Sequence, residues 1–347
     1  MHLHSPREPF LNALQLAASF CAVRSPKQVL MDVLIEASNG EVVLQASDAE
    51  VSIRTRFADP GVRGEGRAAL PAGTLLSAVR NLPGEVVSIQ ESGSLIEISG
   101  GPALFKLHGD DPSLFPLPPM PTFEAGTGTG TVTLPLPAFL DLCARTMFAA
   151  AKDIGRYAFN GVLLELDQHE ITLVATDGRR LSLARLSCET GVKERSTSII
   201  PVKGLVQLQR AAGAGAGDLR IVVTRDKVCF GLGKTEILVQ LVEGEFPDFR
   251  AVLPKQKDMP REVLLDREEL VLAIHRAAVT AGDQARSVEL SFEQGKLRVS
   301  SRQEGVGESR SELGVSYEGD AVGIRFNPEF LGEYLRALPD PSVTFRF

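Results

Sequence analysis

Two carboxylates stand where acid–base chemistry could begin. Asp48 and Asp177 occupy matching places in QASDAEVSI (Gln45–Ile53) and VATDGRRL (Val174–Leu181). A carboxylate pair does acid–base work when its surroundings push the two proton affinities apart. Recurrence at one repeated position favours a turn role instead, because an Asp side chain bonds the backbone two or three residues on. The five histidines (His2, His4, His108, His169, His275) are dispersed and show no metal-ligand spacing. The four cysteines (Cys21, Cys143, Cys188, Cys229) form no CxxC or Cys/His set and read as reduced packing residues. GAGAG (Gly213–Gly217) lies between a helical stretch and a strand, whereas a phosphate loop opens a helix. Walker A, G-x-S-x-G and H-E-x-x-H motifs are all missing. The residues therefore predict no catalytic centre, no metal and no cofactor.

Composition narrows the class. A chain of 347 residues exceeds one ordinary core and suits two or three domains. Apolar residues make up 44% and charged residues 23%, as in globular proteins. No apolar run has the roughly 18–20 residues of a membrane helix. The start, MHLHSPREPF, lacks the apolar stretch of a secretory signal, so a cytoplasmic protein is expected. The net charge of −7 has the wrong sign for a domain that grips phosphates by electrostatics. It leaves room for a protein that surrounds DNA and carries only a local basic lining.

The elements that must position any site come in three copies. Phe10–Ala22, Phe139–Ala151 and Leu270–Ala281 each place apolar residues at i, i+3, i+4 and i+7, which predicts amphipathic helices. Shorter helices are predicted at Leu75–Leu82, Leu205–Ala212 and Phe330–Leu338. Equivalent helices recur at about 130 residues. Val33–Phe57 parallels Val162–Leu186: alternating strand, Asn-Gly or Gln-His turn, strand, Ala-Ser/Thr-Asp step, strand. The third copy is Val288–Tyr317, with a Gln-Gly turn. Alternation with period 2 means half-buried antiparallel strands. The linkers fall at Gly126–Pro137 and Leu253–Val263. The expected fold is α+β: three domains, 1–126, 127–253 and 254–347, each with two helices on an antiparallel sheet. Strands can continue from domain to domain, and closing a ring of repeats is one way to remove sheet edges.

Six stretches, in order and across all three domains, make the chain resemble the bacterial DNA polymerase III beta subunit, the sliding clamp. They are Arg24–Ala37, Phe148–Leu166, Leu173–Leu186, Ile199–Ala211, Val242–Lys255 and Ile324–Leu338. The resemblance implies a head-to-tail homodimer whose six domains form a ring around duplex DNA. It implies a processivity factor, not an enzyme, with polymerases and the clamp loader as partners.

Three sites follow from the resemblance. Arg24, Arg80, Arg156, Tyr157 and Lys203 match family positions that face or touch DNA, and Lys152 is added for its place beside Arg156. Such contacts meet phosphates loosely and read no base edges, so sequence-independent binding is expected. The plainer alternative is ordinary solvated cations. A groove for partner peptides would include Phe159, Thr176, Gly178, Arg179, Arg180, Leu181, Pro247 and Val252. Phe159 stands where the family commonly has a smaller Leu, and Ala251 where it commonly has an Arg, so partner preference is expected to differ. The alternative here is a plain strand–turn–strand, with Gly178 supplying the turn. Phe105, Leu107 and Val279, with the strand around Ser311–Val315, match the ring-closing contact, against the alternative of ordinary core.

Domains 1 and 2 show three strands after their second helix, whereas domain 3 shows only SVTFRF. By the repeat, a hairpin of about 20 residues is expected to be missing there, and with it one wall of the groove. The main rival function is a peptide-binding scaffold that kept the fold without loading on DNA. A more remote one is an enzyme of nucleotide metabolism.

Overall fold

The structure is a computed structural model that describes residues 1–92, 95–123, 131–152, 157–213, 217–281 and 287–347. The first repeat runs β1 (His2–Pro6), α1 (Arg7–Ala18), β2 (Asp32–Ser38), β3 (Glu41–Ser47), β4 (Val51–Ala58), β5 (Val62–Gly64), β6 (Gly66–Pro71), α2 (Ala72–Asn81), β7 (Val86–Ser92), β8 (Leu95–Gly100) and β9 (Ala103–His108). The Asn-Gly turn forms as expected, with both Asn39 and Gly40 at positive φ, the geometry that matches strand twist in a two-residue hairpin. Phe10, Leu14, Ala17 and Phe20 are buried from α1 and its C-terminal turn. The Phe10 ring meets Phe57 of β4 edge-on, with centroids 6.4 Å apart.

The second repeat runs β10 (Thr131–Pro135), α3 (Leu136–Thr146), β11 (Gly161–Asp167), β12 (Glu170–Thr176), β13 (Leu181–Ser187), β14 (Ser196–Pro201), α4 (Val202–Ala212), β15 (Asp218–Val223), β16 (Lys227–Leu232) and β17 (Thr235–Gln240). Proline precedes helices α1, α2 and α4: Pro6, Pro71 and Pro201 hold φ between −54° and −59°, which pre-sets the turn into the helix. The third repeat uses side-chain caps instead. Asp266 accepts from the Glu269 N–H at 2.8 Å, and Asn327 from the Glu329 N–H at 2.9 Å.

The third repeat runs β18 (Glu262–Asp266), α5 (Arg267–Ala278), β19 (Val288–Glu293), β20 (Lys296–Gln303), β21 (Gly307–Gly314), β22 (Val322–Phe326), α6 (Pro328–Ala337) and β23 (Ser342–Arg346). Its core is aromatic. Phe292 stacks on Phe347 at 4.6 Å and packs beside Phe345 and Tyr317. The backbones of Arg261 and Phe347 exchange two hydrogen bonds of 3.1 Å, which hold the chain end in that cluster.

The first helix of each repeat stops short of the expected end, at Ala18, Thr146 and Ala278 rather than Ala22, Ala151 and Ala281. Alanine continues the apolar period without marking a stop. Partners outside the helix set it: the Ala22 N–H turns to the Leu30 carbonyl and the Ala151 N–H to that of Phe159, both at 2.8 Å.

The sheets show how the repeats combine. One is five-stranded, β5-β1-β7-β8-β9. Another runs through eight strands, β10-β15-β16-β17-β4-β3-β2-β6, and so crosses from the second repeat into the first. The crossing is the antiparallel β17–β4 pair, in which Ile237 lies opposite Ile53 and Val239 opposite Val51. Glu236 spans the same pair, accepting from Arg54 Nε at 2.6 Å and Arg56 Nη2 at 2.9 Å. The remaining sheets are β13-β12-β11-β14, β21-β20-β19-β22 and the two-stranded β18-β23. Three repeats thus give two compact units. One comprises Met1–Cys143, Ala150–Ala175 and Leu183–Glu245; the other comprises Ala144–Ala149, Thr176–Ser182 and Phe246–Phe347. The first two repeats share a unit because they share a sheet.

Ile237 and Ile53 are both buried at that crossing. Ile237→Ala is expected to lower unfolding free energy by about 2–5 kcal/mol. Denaturant titration should show repeats one and two still unfolding in one step. Separate transitions for repeats one and two in the unsubstituted protein would contradict the shared sheet.

Candidate functional site

The turn after β12 is built from side-chain bonds to its own backbone. Asp177 Oδ1 accepts from the Arg179 and Arg180 N–H groups at 2.9 and 3.0 Å. The Thr176 hydroxyl accepts from the Gly178 N–H at 3.0 Å and donates to the Arg180 carbonyl at 2.6 Å. Gly178 sits at φ 85°, where a side chain is disfavoured. The first repeat makes the same turn. Asp48 Oδ1 accepts from the Glu50 and Val51 N–H groups, and the Ser47 hydroxyl from Ala49. Both Asp residues are thus turn formers.

What differs is the charge each turn presents. In the second unit, Arg180 is enclosed by partners. Its guanidinium donates to Asp177 at 3.1 Å, to Glu333 of α6 at 2.5 Å and to the Phe148 carbonyl at 2.6 Å. It also lies 4.3 Å above the Phe330 ring and 5.5 Å from that of Phe148. A planar guanidinium suits this mixture of forked bonds and ring faces, and lysine would not. Phe148 packs on Tyr334 at 6.4 Å, and burial pushes the Tyr334 phenol up, so it stays neutral. Ser182 donates to the Arg145 carbonyl at 2.6 Å and fixes the start of β13.

The expected groove residues divide accordingly. Thr176, Gly178, Arg179, Arg180 and Leu181 come together in the turn. Arg179 is exposed and Leu181 half-buried, whereas Arg180 is spent on internal bonds. Pro247 and Val252 lie in the same unit. They flank a short 3-10 helix capped by Asp248, with Pro247 half-buried and Val252 exposed. Phe159 lies in the first unit, half-buried. Sequence reasoning missed Phe148, Phe330, Glu333 and Tyr334 as Arg180's surroundings. The signal was present, because Phe330, Glu333 and Tyr334 stand at i, i+3 and i+4 on one helix face.

Of the expected DNA-facing residues, Arg24, Arg80 and Lys152 are exposed, with Arg80 in the last turn of α2. Arg156 lies outside the described residues, and so does the side chain of Tyr157. Lys203, in the first turn of α4, is held by Asp48 at 2.7 Å and Glu50 at 2.6 Å. Burial pulls its ammonium down, but the hydrogen bonds to those carboxylates outweigh it, so the ammonium is raised and firmly charged. This lysine joins the first repeat to the second, with its charge already matched.

The expected ring-closing residues sit on sheet edges. Phe105 and Leu107 are half-buried on β9, the outermost strand of its sheet. β21, which carries Ser311, is likewise outermost, and Val279 is 74% exposed at the C-cap of α5. Thr280 bonds the Ser309 hydroxyl at 2.7 Å and so ties that corner to β21. Among the described residues, no cluster of three or more His, Cys, Asp or Glu side chains forms a metal cage, and no helix is long and apolar enough to cross a membrane.

The enclosure of Arg180 predicts a division of roles. Arg180→Ala removes a partly buried ion pair to Glu333 and the bond to the Phe148 carbonyl and is expected to lower stability by about 3 kcal/mol. Arg179→Ala is expected to change it by less than about 0.5 kcal/mol. Equal losses in chemical denaturation would contradict this.

Comparison with known proteins agrees along the whole chain. Profiles of the DNA polymerase III beta subunit match domain by domain: the N-terminal domain over residues 1–119, the central domain over 133–248 and the C-terminal domain over 250–347. The beta sliding clamp of Pseudomonas putida KT2440 is 31% identical over 346 residues, covering 99% of this chain and 92% of that relative. The beta sliding clamp of Escherichia coli K12 is 28% identical over 338 residues, covering 97% and 90%. The crystal structure of the Pseudomonas aeruginosa DNA polymerase III subunit beta superposes with a TM-score of 0.91 at 28% identity, covering 100% of this chain and 93% of that one. That organism's clamp bound to griselimycin gives 0.93 at 28% identity, covering 100% and 92%. Such clamps are processivity factors, not enzymes. The chain belongs to the DNA polymerase III beta subunit family, the beta sliding clamps.

Proposed function

We propose that this clamp closes head to tail with a second copy into a ring around duplex DNA, tethering polymerases there after a clamp loader has placed it. The observation that carries the ring is a pair of outermost strands, β9 and β21, with apolar side chains beside them. An unpaired edge offers a row of free N–H and C=O groups to another strand. Phe105, Leu107 and Val279 supply apolar contact beside those edges. A head-to-tail contact that closes after two copies leaves neither edge open. Six clamp domains, 1–126, 127–253 and 254–347 from each copy, then make the circle.

Encirclement also suits the acidic chain. Affinity for DNA need not come from net charge when the protein is linked topologically. Arg24, Arg80, Lys152, Arg156 and Tyr157 form the local lining in this reading. Lys203 contributes less, because Asp48 and Glu50 neutralise it. The groove that receives partner peptides is built, in this reading, on Thr176, Gly178, Arg179, Leu181, Pro247 and Val252, with Arg180 as its internal support. The protein works in the cytoplasm, where replication takes place.

Loaded on nicked circular DNA, the clamp should stay bound through gel filtration, and linearising the circle should release it. Equal loss from both would overturn the ring and favour the scaffold reading, which the matched charge of Lys203 and the net charge of −7 would then support. In the groove, Arg179→Ala with Leu181→Ala is expected to weaken polymerase-peptide binding at least about tenfold, as for central interface residues, and to leave the dimer intact. Loss of the dimer would show that these residues serve the fold instead.

A further inference from the structure

Asp32 opens β2 and is fully buried. Neither of its carboxylate oxygens has a donor among the described residues, and the same holds for Asp110 Oδ2. A buried carboxylate left this way carries a large desolvation penalty. The backbone brings them to the same strand: Asp32 lies opposite Pro71 of β6 and Asp110 opposite Ala69, two residues along it, and the two carboxyls act on each other. Two carboxylates are both acceptors, so a bond between them requires one to be protonated.

We propose that Asp32 and Asp110 hold one proton between them, and that this proton latches the segment after β9 to the eight-stranded sheet. The backbone places the pair for that task. Asp110 forms an isolated bridge with Ala69 of β6, and its N–H donates to the Ala69 carbonyl at 3.0 Å. Gly109 lies so close that a Cβ on it would stand 2.7 Å from the same carbonyl. β9 ends at His108 in the five-stranded sheet, whereas β6 closes the eight-stranded one. Residues 109–110 therefore staple one sheet of the first repeat to the other at the root of an open edge strand.

The surroundings favour the shared proton. Burial, then the bond to Asp110 and its charge, push Asp32 from 3.8 up to about 7. The neighbouring thiol of Cys21 donates to the Asp32 carbonyl oxygen at 3.2 Å. Burial, then Asp32 and Asp48, push that thiol up to about 12, so it stays neutral. Across the register from Asp32 stands Pro71, which has no charge. Among the described residues, no cation pairs with either Asp32 oxygen.

The sign follows from proton linkage. The latched state binds the proton more tightly than the opened one, where an aspartate titrates near 4. Latching is therefore strongest in acid, weakens about tenfold per pH unit up to about 7, and is level above that. The pair lies within one chain, so it stands or falls separately from ring closure.

Hydrogen exchange of residues 104–111 in the full-length protein tests it. After correction for intrinsic exchange, protection should fall about tenfold per pH unit between pH 5 and 7 and then level off. Asp32→Asn supplies a permanent neutral donor to Asp110, and its protection should not change across that range. An unchanged slope in Asp32→Asn overturns the proposal. Infrared titration of the unsubstituted protein gives a second reading, independent of how the variant folds. A buried carboxylic acid band should disappear with a midpoint near 7, and its absence at pH 6 overturns the shared proton.

Discussion

The strand edge is the constraint on which this architecture rests. Each repeat is too small to close its sheets on itself, and an open edge leaves backbone donors and acceptors unmatched. Between the first and second repeats the problem is solved inside the chain, by β17 on β4 with Ile237 opposite Ile53. The eight-stranded sheet and the two-unit division both follow from that one pairing. Two of the edges that the chain leaves open, β9 and β21, are where a second copy is proposed to act.

The joints between repeats reuse one device with its charges reversed. A tight turn closed by Asp48 or Asp177 presents charge to the second helix of the next repeat. At the first joint, Asp48 and Glu50 hold Lys203 of α4, and Gln207 of the same helix reaches the Ser19 carbonyl at 2.8 Å. At the second, Arg180 holds Glu333 of α6 and lies against Phe148 and Phe330. Conserving the turn while exchanging the side chains keeps the geometry and frees the second joint to display aromatic surface. Partner recognition is proposed at the turn beside it, which exposes Arg179.

Much of this was legible in the sequence because it is periodic. The alternating strands, the Asn39-Gly40 turn and the six amphipathic helices all carry their own pattern. The single strand after α6 was likewise visible as SVTFRF, now β23. Contacts between distant residues were not legible. Nothing in the spacing of Lys203, Asp48 and Glu50 says that they meet, so a lysine expected to face DNA proved to be tied to carboxylates. Arg180 appeared as a groove residue, and only the fold shows that its guanidinium is committed internally. The helix ends at Ala18 and Thr146 escaped for the same reason, since the N–H groups of Ala22 and Ala151 turn to Leu30 and Phe159.

The central claim is that two copies close on each other through β9 and β21. Sedimentation equilibrium at micromolar concentration addresses it most directly. The account predicts a species of twice the chain mass, reduced to monomer by charged substitutions at Leu107 and Val279. A monomer across that concentration range, or a dimer indifferent to both substitutions, would contradict it.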